Sequence, residues 1–524
     1  MECFPEDVWS HGRTGVSGYM LNSCIALTLE TQARSFSRPP NPAEWERFVA
    51  NAARVRTLTL KSNTCGLSQE DWAILALHRP EKVLFPNIKN LTWEDHDDRK
   101  ALSYAHLLLG PKLRDIVLRT GPNAPGKAHM QRMTSLLMTL CYQRLPLRAF
   151  AAYVKNETDA FCDAVGKLVE ATELETYDSD VMLTKAEVIK LAKSQTLKVV
   201  DLTAADALDI NDEDFDGAIF PVVEDLNMYV HSLEEPAVRG LCLRATSPWL
   251  AELCISTSLD PSQDTVVALL EGLATRPNAF LIHSLDLIFA IGMHLHTPPP
   301  PEQPECILNA RVIEALIPFK FLSRLQLKSR YLDVDDVFIA QILKHFPRIE
   351  QLLLMPTYYS GKTSKVSLRM LSLIAAALPC LKELGLPFDT SPEAANATVV
   401  PHPGCWYNQS CTKLHVADSR LADDRVEAVA VHISMSFWHP NLEIVAAEEN
   451  TPRDTRHAHE RFKSKEAWTR CQKLLRPLSA ARYQERFRHG FPDAPWAMTY
   501  NPPLPRSEAD DPRSLIPEVW PAPM

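Results

Sequence analysis

Ser360, Gly361, Lys362 and Thr363 spell the Gly-Lys-Thr end of a phosphate-binding loop. They follow an apolar run ending at Leu354 and precede a helical pattern from Val366, the order such a loop requires. The chemistry would be nucleotide binding, with backbone amides wrapped around phosphate. The motif also needs glycine five residues before Gly361, where Pro356 stands, and Tyr358 and Tyr359 crowd the loop. His457, His459 and Glu460, and Cys405 with Cys411, are metal-ligating types, yet neither set has paired ligand spacing on a regular element. The carboxylates of NDEDFD, residues 211–216, lack the placed glycine and distal Glu of a calcium loop. Neither H-E-x-x-H nor G-x-S-x-G occurs. The expectation is therefore no catalytic residue, no cofactor and no metal, in a protein that is not an enzyme.

The elements that would position any site announce themselves as a cassette, L-x-x-L-x-L, where L is any large apolar residue. Clear copies include Val55/Leu58/Leu60, Ile88/Leu91/Trp93, Leu113/Ile116/Leu118, Leu197/Val200/Leu202, Leu250/Leu253/Ile255, Leu322/Leu325/Leu327, Ile349/Leu352/Leu354 and Leu381/Leu384/Leu386. Weaker copies lie near Leu147/Phe150, Leu174/Tyr177, Leu285/Leu287, Leu414/Val416 and Leu442/Val445. Successive copies are about 30 residues apart. The final apolar-x-apolar alternation is that of a short half-buried strand.

Proline falls in the same register. Pro86, Pro111, Pro221, Pro248, Pro347, Pro379 and Pro440 each stand two residues before the first apolar position of a cassette. Lacking an amide hydrogen and disfavouring helix in its predecessor, each stops a helix and launches an extended segment. Residues 334–346, VDDVFIAQILKHF, predict such a helix, with Asp333 as N-cap and Val334, Phe338, Ile342 and Phe346 on one face. Leu368, Leu371, Ile374 and Leu378 form a second stripe. Units of helix, stop and strand predict an α/β leucine-rich-repeat-like solenoid, a horseshoe with a parallel sheet on the concave face and helices on the convex face. The alternative is an ordinary doubly wound domain.

The predicted organisation is an N-terminal linker or remnant at 1–41 and a solenoid of 13–14 irregular repeats at 42–450, with a Pro-rich loop at 294–305. A basic helical cap at 451–490 and a Pro-rich disordered tail at 491–524 complete it. The 40 prolines outnumber the 16 glycines, which leaves little material for phosphate-cradling loops. A net charge of -10 argues against a chain built to bind the nucleic-acid backbone. Residues 451–490 are basic instead, and read either as an amphipathic helix closing the last repeat or as a contact for phosphate or an acidic partner; the cap is preferred. There is no membrane-length apolar run and no secretory leader, and the twelve cysteines are scattered without C-x-x-C. The expected location is cytoplasmic, nuclear or both, with no nucleic-acid or membrane partner.

Residues 40–60, PNPAEWERFVANAARVRTLTL, followed by these cassettes, resemble the fungal F-box proteins with degenerate leucine-rich-like repeats. The matching residues are Pro42, Glu44, Trp45, Arg47, Phe48, Arg54, Val55, Arg56 and Leu58, and the likeness covers roughly residues 4–450. It implies the substrate-receptor part of a cullin-RING (SCF-type) ubiquitin ligase, which docks on a Skp-type adaptor through an N-terminal F-box. Phe4, Pro5, Glu6, Asp7, Val8 and Trp9 look like an F-box phrase, but SHGRTGVSGYMLNSC follows in place of a helical continuation. We read FPEDVW as the linker after the box, with the box itself missing or truncated.

The expected function is protein recognition by strand residues that alternate with the buried ones: Thr57, Thr59, Asn90, Thr92, Asp115, Asp201, Asp225, Asn227, Glu252, Gln326 and Glu383. Their mixture is polar and somewhat acidic, which favours a basic partner segment. The alternatives are a leucine-rich-repeat scaffold with no ubiquitin role, and a hydrolase or transferase needing a deep pocket of convergent polar groups.

Overall fold

The computed structural model describes residues 20–21, 24–28, 36, 38–61, 68–95, 100–121, 126–155, 157–204, 218–234, 236–276, 279–289, 310–329, 332, 334–356, 364–391, 408–417, 419–437, 439, 441–446 and 458–488 of the chain. These fall into two units, Met1–Val230 with Pro236–Trp249, and His231–Glu235 with Leu250–Met524.

In the first unit β1 (Met20–Leu21) pairs antiparallel with β2 (Cys24–Thr28). From β2 the pairing is parallel and in chain order through β3 (Val55–Lys61), β4 (Asn90–Asp95), β5 (Asp115–Thr120), β6 (Ala149–Tyr153), β7 (Thr176–Leu183), β8 (Val199–Ala204) and β9 (Asp225–Val230). The intervening helices are α1 (Pro42–Ala52), α2 (Gln69–His78), a 3-10 helix at Lys100–Leu108, α3 (Lys127–Gln143), α4 (Asp159–Ala171) and α5 (Lys185–Ala192), with α6 (Pro236–Arg244) after β9. In the second unit β10 (Glu252–Thr257), β11 (Ser284–Ile288), β12 (Arg324–Ser329), β13 (Gln351–Pro356), β14 (Glu383–Gly385), β15 (Lys413–Ala417) and β16 (Glu443–Ala446) pair parallel in the same way. They alternate with α7 (Gln263–Ala274), α8 (Ala310–Leu316), α9 (Asp336–His345), α10 (Leu368–Ala377) and α11 (Val426–Ser436), and end in α12 (Ala458–Arg488).

Each cassette becomes one strand. Leu58, Leu91, Ile116, Val200, Leu325, Leu352 and Leu384, the middle positions, are all essentially inaccessible to solvent and stack in register from strand to strand. Burying each such side chain stabilises by about 1.5–3 kcal/mol relative to exposure. From α2 to α5 in the first unit and from α7 to α12 in the second, successive helices pack on one another in chain order, on the side these apolar residues face. With no change of strand order and one helix layer per unit, the architecture is a leucine-rich-repeat-like α/β solenoid and not a doubly wound domain.

The proline stops have a specific geometry. The amide of the first apolar residue donates to the carbonyl three residues earlier: Ile88 to Phe85, Leu113 to Gly110, Val223 to Phe220, Ile349 to Phe346 and Leu381 to Leu378. Proline at the second position of such a turn has its φ already set and needs no donor. Helix starts are capped conventionally. Asn41 and Glu44 form a reciprocal box on α1, and Arg38 grips the Glu44 carboxylate at 2.6 Å, holding it down to about 2.

Two expectations need correction. Helix α9 starts later than the pattern suggested, with Asp335 in place of Asp333 as N-cap, accepting from the Phe338 amide at 2.8 Å. Asp335 is held extended by a bridge to Lys365, while Val334, Phe338, Ile342 and Phe346 are all buried as expected. In β16 the residue opposite Leu414 is Ile444, one before the Val445 read from the cassette. A register shift between His415 and Ala417, and side chains that are exposed or only half-buried along β16, leave this strand little to enforce the repeat.

Helix α12 lies against α11 and β16. Ala467, Trp468, Cys471 and Leu475 are buried, and the Trp468 Nε1 donates to the Ser419 carbonyl at 2.9 Å. Gln472 acts as a substitute peptide for a neighbouring strand: its oxygen accepts from the Ile444 amide and its nitrogen donates to the Leu442 carbonyl at 2.8 Å. Such pairing satisfies an edge that would otherwise template association.

The Pro-rich stretch 294–305, Ser360 to Thr363, residues 211–216, Cys405, His457, FPEDVW and the tail 491–524 lie outside the described residues. No helix among the described residues is long and apolar enough to cross a membrane.

Candidate functional site

Since alternate strand residues are spent on the core, the side chains between them define the opposite, open face of each sheet. In the first unit the pairing register arranges them in rows perpendicular to the strands, about 4.8 Å per step. One row runs Thr57, Asn90, Asp115, Ala149, Thr176, Val199, Asp225, and the next runs Thr59, Thr92, Val117, Ala151, Asp178, Asp201, Asn227. Thr57, Thr59, Asn90, Thr92, Asp115, Asp201, Asp225 and Asn227 thus all belong to these two rows, and all are half-buried.

The chemistry changes along the rows. At β3 and β4 they are threonines and Asn90, whose amide donates to Asp115 Oδ2 of β5 at 2.8 Å. At β6 the side chains shrink to Ala149 and Ala151, leaving a low floor. Beyond it Asp178 and Asp201 are direct neighbours on paired strands, and Asp225 lies diagonally across from Asp201. Burial pushes the Asp201 carboxyl up to about 6, and the carboxylates of Asp178 and Asp225 push the same way. No hydrogen bond or ion pair engages the Asp201 carboxylate among the described residues.

Beside this acidic end stands an aromatic flank. The Tyr153 hydroxyl donates to Asp178 Oδ2, and Arg119 lies over the Tyr153 ring with its Cζ 4.9 Å from the centroid. Burial, and then the bond to Asp178, push the phenol up to about 12, so it remains a donor at neutral pH. Arg119 also approaches Glu94 at 3.8 Å. This end of the face therefore presents carboxylate oxygens beside a tyrosine ring that Arg119 already covers, and it is the carboxylates that can receive a further cationic side chain.

The open face of the second unit treats charge differently. Glu252, Ser284, Arg324, Gln351, Glu383, Lys413 and Glu443 form one row, and Cys254, Asp286, Gln326, Leu353, Gly385, His415 and Val445 the next. Arg324 holds Asp286 at 2.7 Å and 3.1 Å. Glu383 accepts from Gln351 Nε2 at 2.8 Å and contacts His415 Nε2 at 2.6 Å. Of the three residues expected here, Glu252 and Glu383 are half-buried but Gln326 is buried, because the flanking Asp286 and Leu353 are themselves nearly covered.

Asp178, Tyr153, Arg119, Asp286, Arg324 and His415 were not among the residues read from sequence. Asp178 had a signal, since it follows Tyr177, the middle position of the weak cassette at Leu174/Tyr177. The others declare themselves only through their partners across strands.

Of the metal candidates, Cys411 is buried, and burial pushes its thiol up to about 12, which disfavours the thiolate a metal needs. No group of three or more His, Cys, Asp or Glu side chains suited to a metal occurs among the described residues.

The class defined by this fold and face is a leucine-rich-repeat-like solenoid. No protein-family model matches the chain. No curated protein matches it either. Among solved structures it is similar to one titled "Crystal structure of Rad7 and Elc1 complex in yeast", with 13% identity over 79% of this chain and 82% of that chain and a TM-score of 0.31.

Proposed function

We propose that this chain is a non-enzymatic protein-recognition solenoid, and that the open sheet face of its first unit takes a basic segment of a partner protein. The observation that carries this reading is the clustering of Asp178, Asp201 and Asp225, with Asp178 and Asp201 on paired positions and the half-buried Asp201 carboxyl pushed up by burial and by both neighbours. Side-by-side carboxylates on paired strands cost stability, and no ion pair engages Asp201 among the described residues. A Lys or Arg side chain laid across β7 to β9 would relieve that repulsion, with the Ala149 and Ala151 floor giving the segment room.

The test is fluorescence anisotropy of the full chain with a fluorescein-labelled peptide carrying Lys or Arg at every third position. Binding should weaken at least tenfold for Asp201→Lys and fall steeply with salt, while Glu427→Lys, an exposed charge change on α11, leaves it unaltered. Equal affinity in the Asp201 variant would sink the proposal.

We further infer, from the resemblance carried by residues 4–9 and 42–58, that the recognition serves substrate capture for an SCF-type ubiquitin ligase. A pull-down with a purified Skp-type adaptor, repeated after deletion of residues 1–20, tests it. Binding that the deletion abolishes supports the ligase role, and no binding by either form leaves a recognition scaffold without it.

A further inference from the structure

The turns that launch the strands of the second unit stack along one end of the sheet, and their outer corners carry an unusual set of side chains. The Ile282 amide donates to the Ala279 carbonyl, Leu322 to Phe319, Ile349 to Phe346 and Leu381 to Leu378, so the corner pairs are Phe280 with Leu281, Lys320 with Phe321, Pro347 with Arg348, and Pro379 with Cys380. The geometry of such a turn turns both corner side chains outward, and solvated corners are usually filled by small or polar residues. Here Phe280 is 41% exposed, Leu281 37% and Phe321 50%.

These residues make one patch. The Phe280 and Phe321 rings pack edge to face with centroids 6.3 Å apart, and the Arg348 guanidinium lies 6.0 Å from the Phe321 centroid on the next turn. Contiguous exposed aromatics are costly to leave in water, and aromatic and arginine side chains are enriched among the residues that dominate the energetics of protein interfaces. The charge beside the patch has one sign. Lys320 and Arg348 are exposed and have no carboxylate partner among the described residues, whereas Glu350 on the following strand entry is already engaged by Lys382.

We propose that this ridge is a second docking site, separate from the open sheet face, whose occupant is a partner-protein segment carrying Leu, Phe or Trp side chains alternating with Asp or Glu. The apolar side chains cover Phe280, Leu281 and Phe321, and the carboxylates pair with Lys320 and Arg348. Both corner cations stand on the turns that carry or border the aromatic pair, so an acidic-apolar segment satisfies the patch and its rim together.

The experiment is to pan a phage-displayed library of random 16-residue peptides against the full chain, then measure anisotropy of the fluorescein-labelled winning sequence. The expected winners combine apolar and acidic residues, and lose affinity at least tenfold for Phe321→Ser and for Arg348→Glu. They should bind Arg348→Lys within about threefold of wild type and Asp201→Lys unchanged. Because both sites are exposed, unaltered urea midpoints will establish that the variants are folded. Winners indifferent to Phe321→Ser and Arg348→Glu would overturn the proposal. So would concentration-dependent dimerisation of the wild type that Phe321→Ser abolishes, since the occupant would then be a second copy of the chain. Basic winners that respond to Asp201→Lys alone would overturn this site and leave the open-face reading standing.

Discussion

The open faces of the two units are built on the same parallel register, yet they handle charge in opposite ways. In the first, Asp178 and Asp201 sit on paired positions with Asp225 on the diagonal, and carboxylate faces carboxylate. In the second, Asp286 has Arg324 at the adjoining strand, and Glu383 has Gln351 on one side and His415 on the other. Gly385 extends the contrast. A Cβ there would come within 2.7 Å of Leu353 Cδ2 and 2.9 Å of Met355 Sδ, so its bare backbone lets those side chains lie across the row and cover it. The second face is partly filled and pairs Asp286 and Glu383 within itself, whereas the first sets Asp201 beside Asp178 with no ion pair to it among the described residues. A repeat architecture can thus hold backbone and core constant while using the outward positions for different work.

The largest effects should be equal in the two units, because the helix-facing sides are equivalent. Leu202→Ala in β8 and Leu327→Ala in β12 each remove a fully buried side chain and should each cost about 2–5 kcal/mol in urea unfolding. A loss confined to one of them would break the equivalence.

The next pair should differ in size. Asp201 titrates near 6 in the folded chain and, like any aspartate, near 3.9 when unfolded, so its charge penalises folding increasingly as pH rises from about 4 through 6. Asp201→Asn should therefore add about 1 kcal/mol of stability at pH 7.5, after discounting for solvent, and add nothing near pH 4. Asp286→Asn should add less than that at pH 7.5: burial pushes its carboxyl up too, but the Arg324 guanidinium opposes that push and loses its counter-charge in the variant. Urea midpoints at the two pH values measure both. If Asp286→Asn stabilised as much as Asp201→Asn, the claimed difference between the faces would be gone.

The smallest effect belongs to His415→Ala. Glu383 keeps its bond from Gln351 in that variant, so the cost should be about 0.5 kcal/mol at pH 6. A loss of 2 kcal/mol would show that the row depends on a network extending past those two bonds.

Much of this was legible in the residue order, for a physical reason. A cassette that must bury three apolar side chains on one face carries its period in its letters, and proline in front of it marks where a helix can no longer continue. Leu325, Leu352 and Leu384 could be assigned to the core, and Asp201 or Asn227 to the opposite face, from alternation alone, because side-chain direction in a strand is a local property. The cap of α9 and the register of β16 were misread where local pattern competes with a bridge to a distant segment or with a loosely buried edge.

What only the tertiary structure decided is who stands beside whom. That Asp178 adjoins Asp201, that Arg324 answers Asp286 at a separation of 38 residues, that Gln326 is covered, and that Phe280, Phe321 and Arg348 touch all depend on pairing between strands. Direction is written into each strand by its own backbone, whereas adjacency is set by stacking of the repeats. Charge energetics depend on adjacency, and so the same outward-facing aspartate is strained in one unit and neutralised in the other.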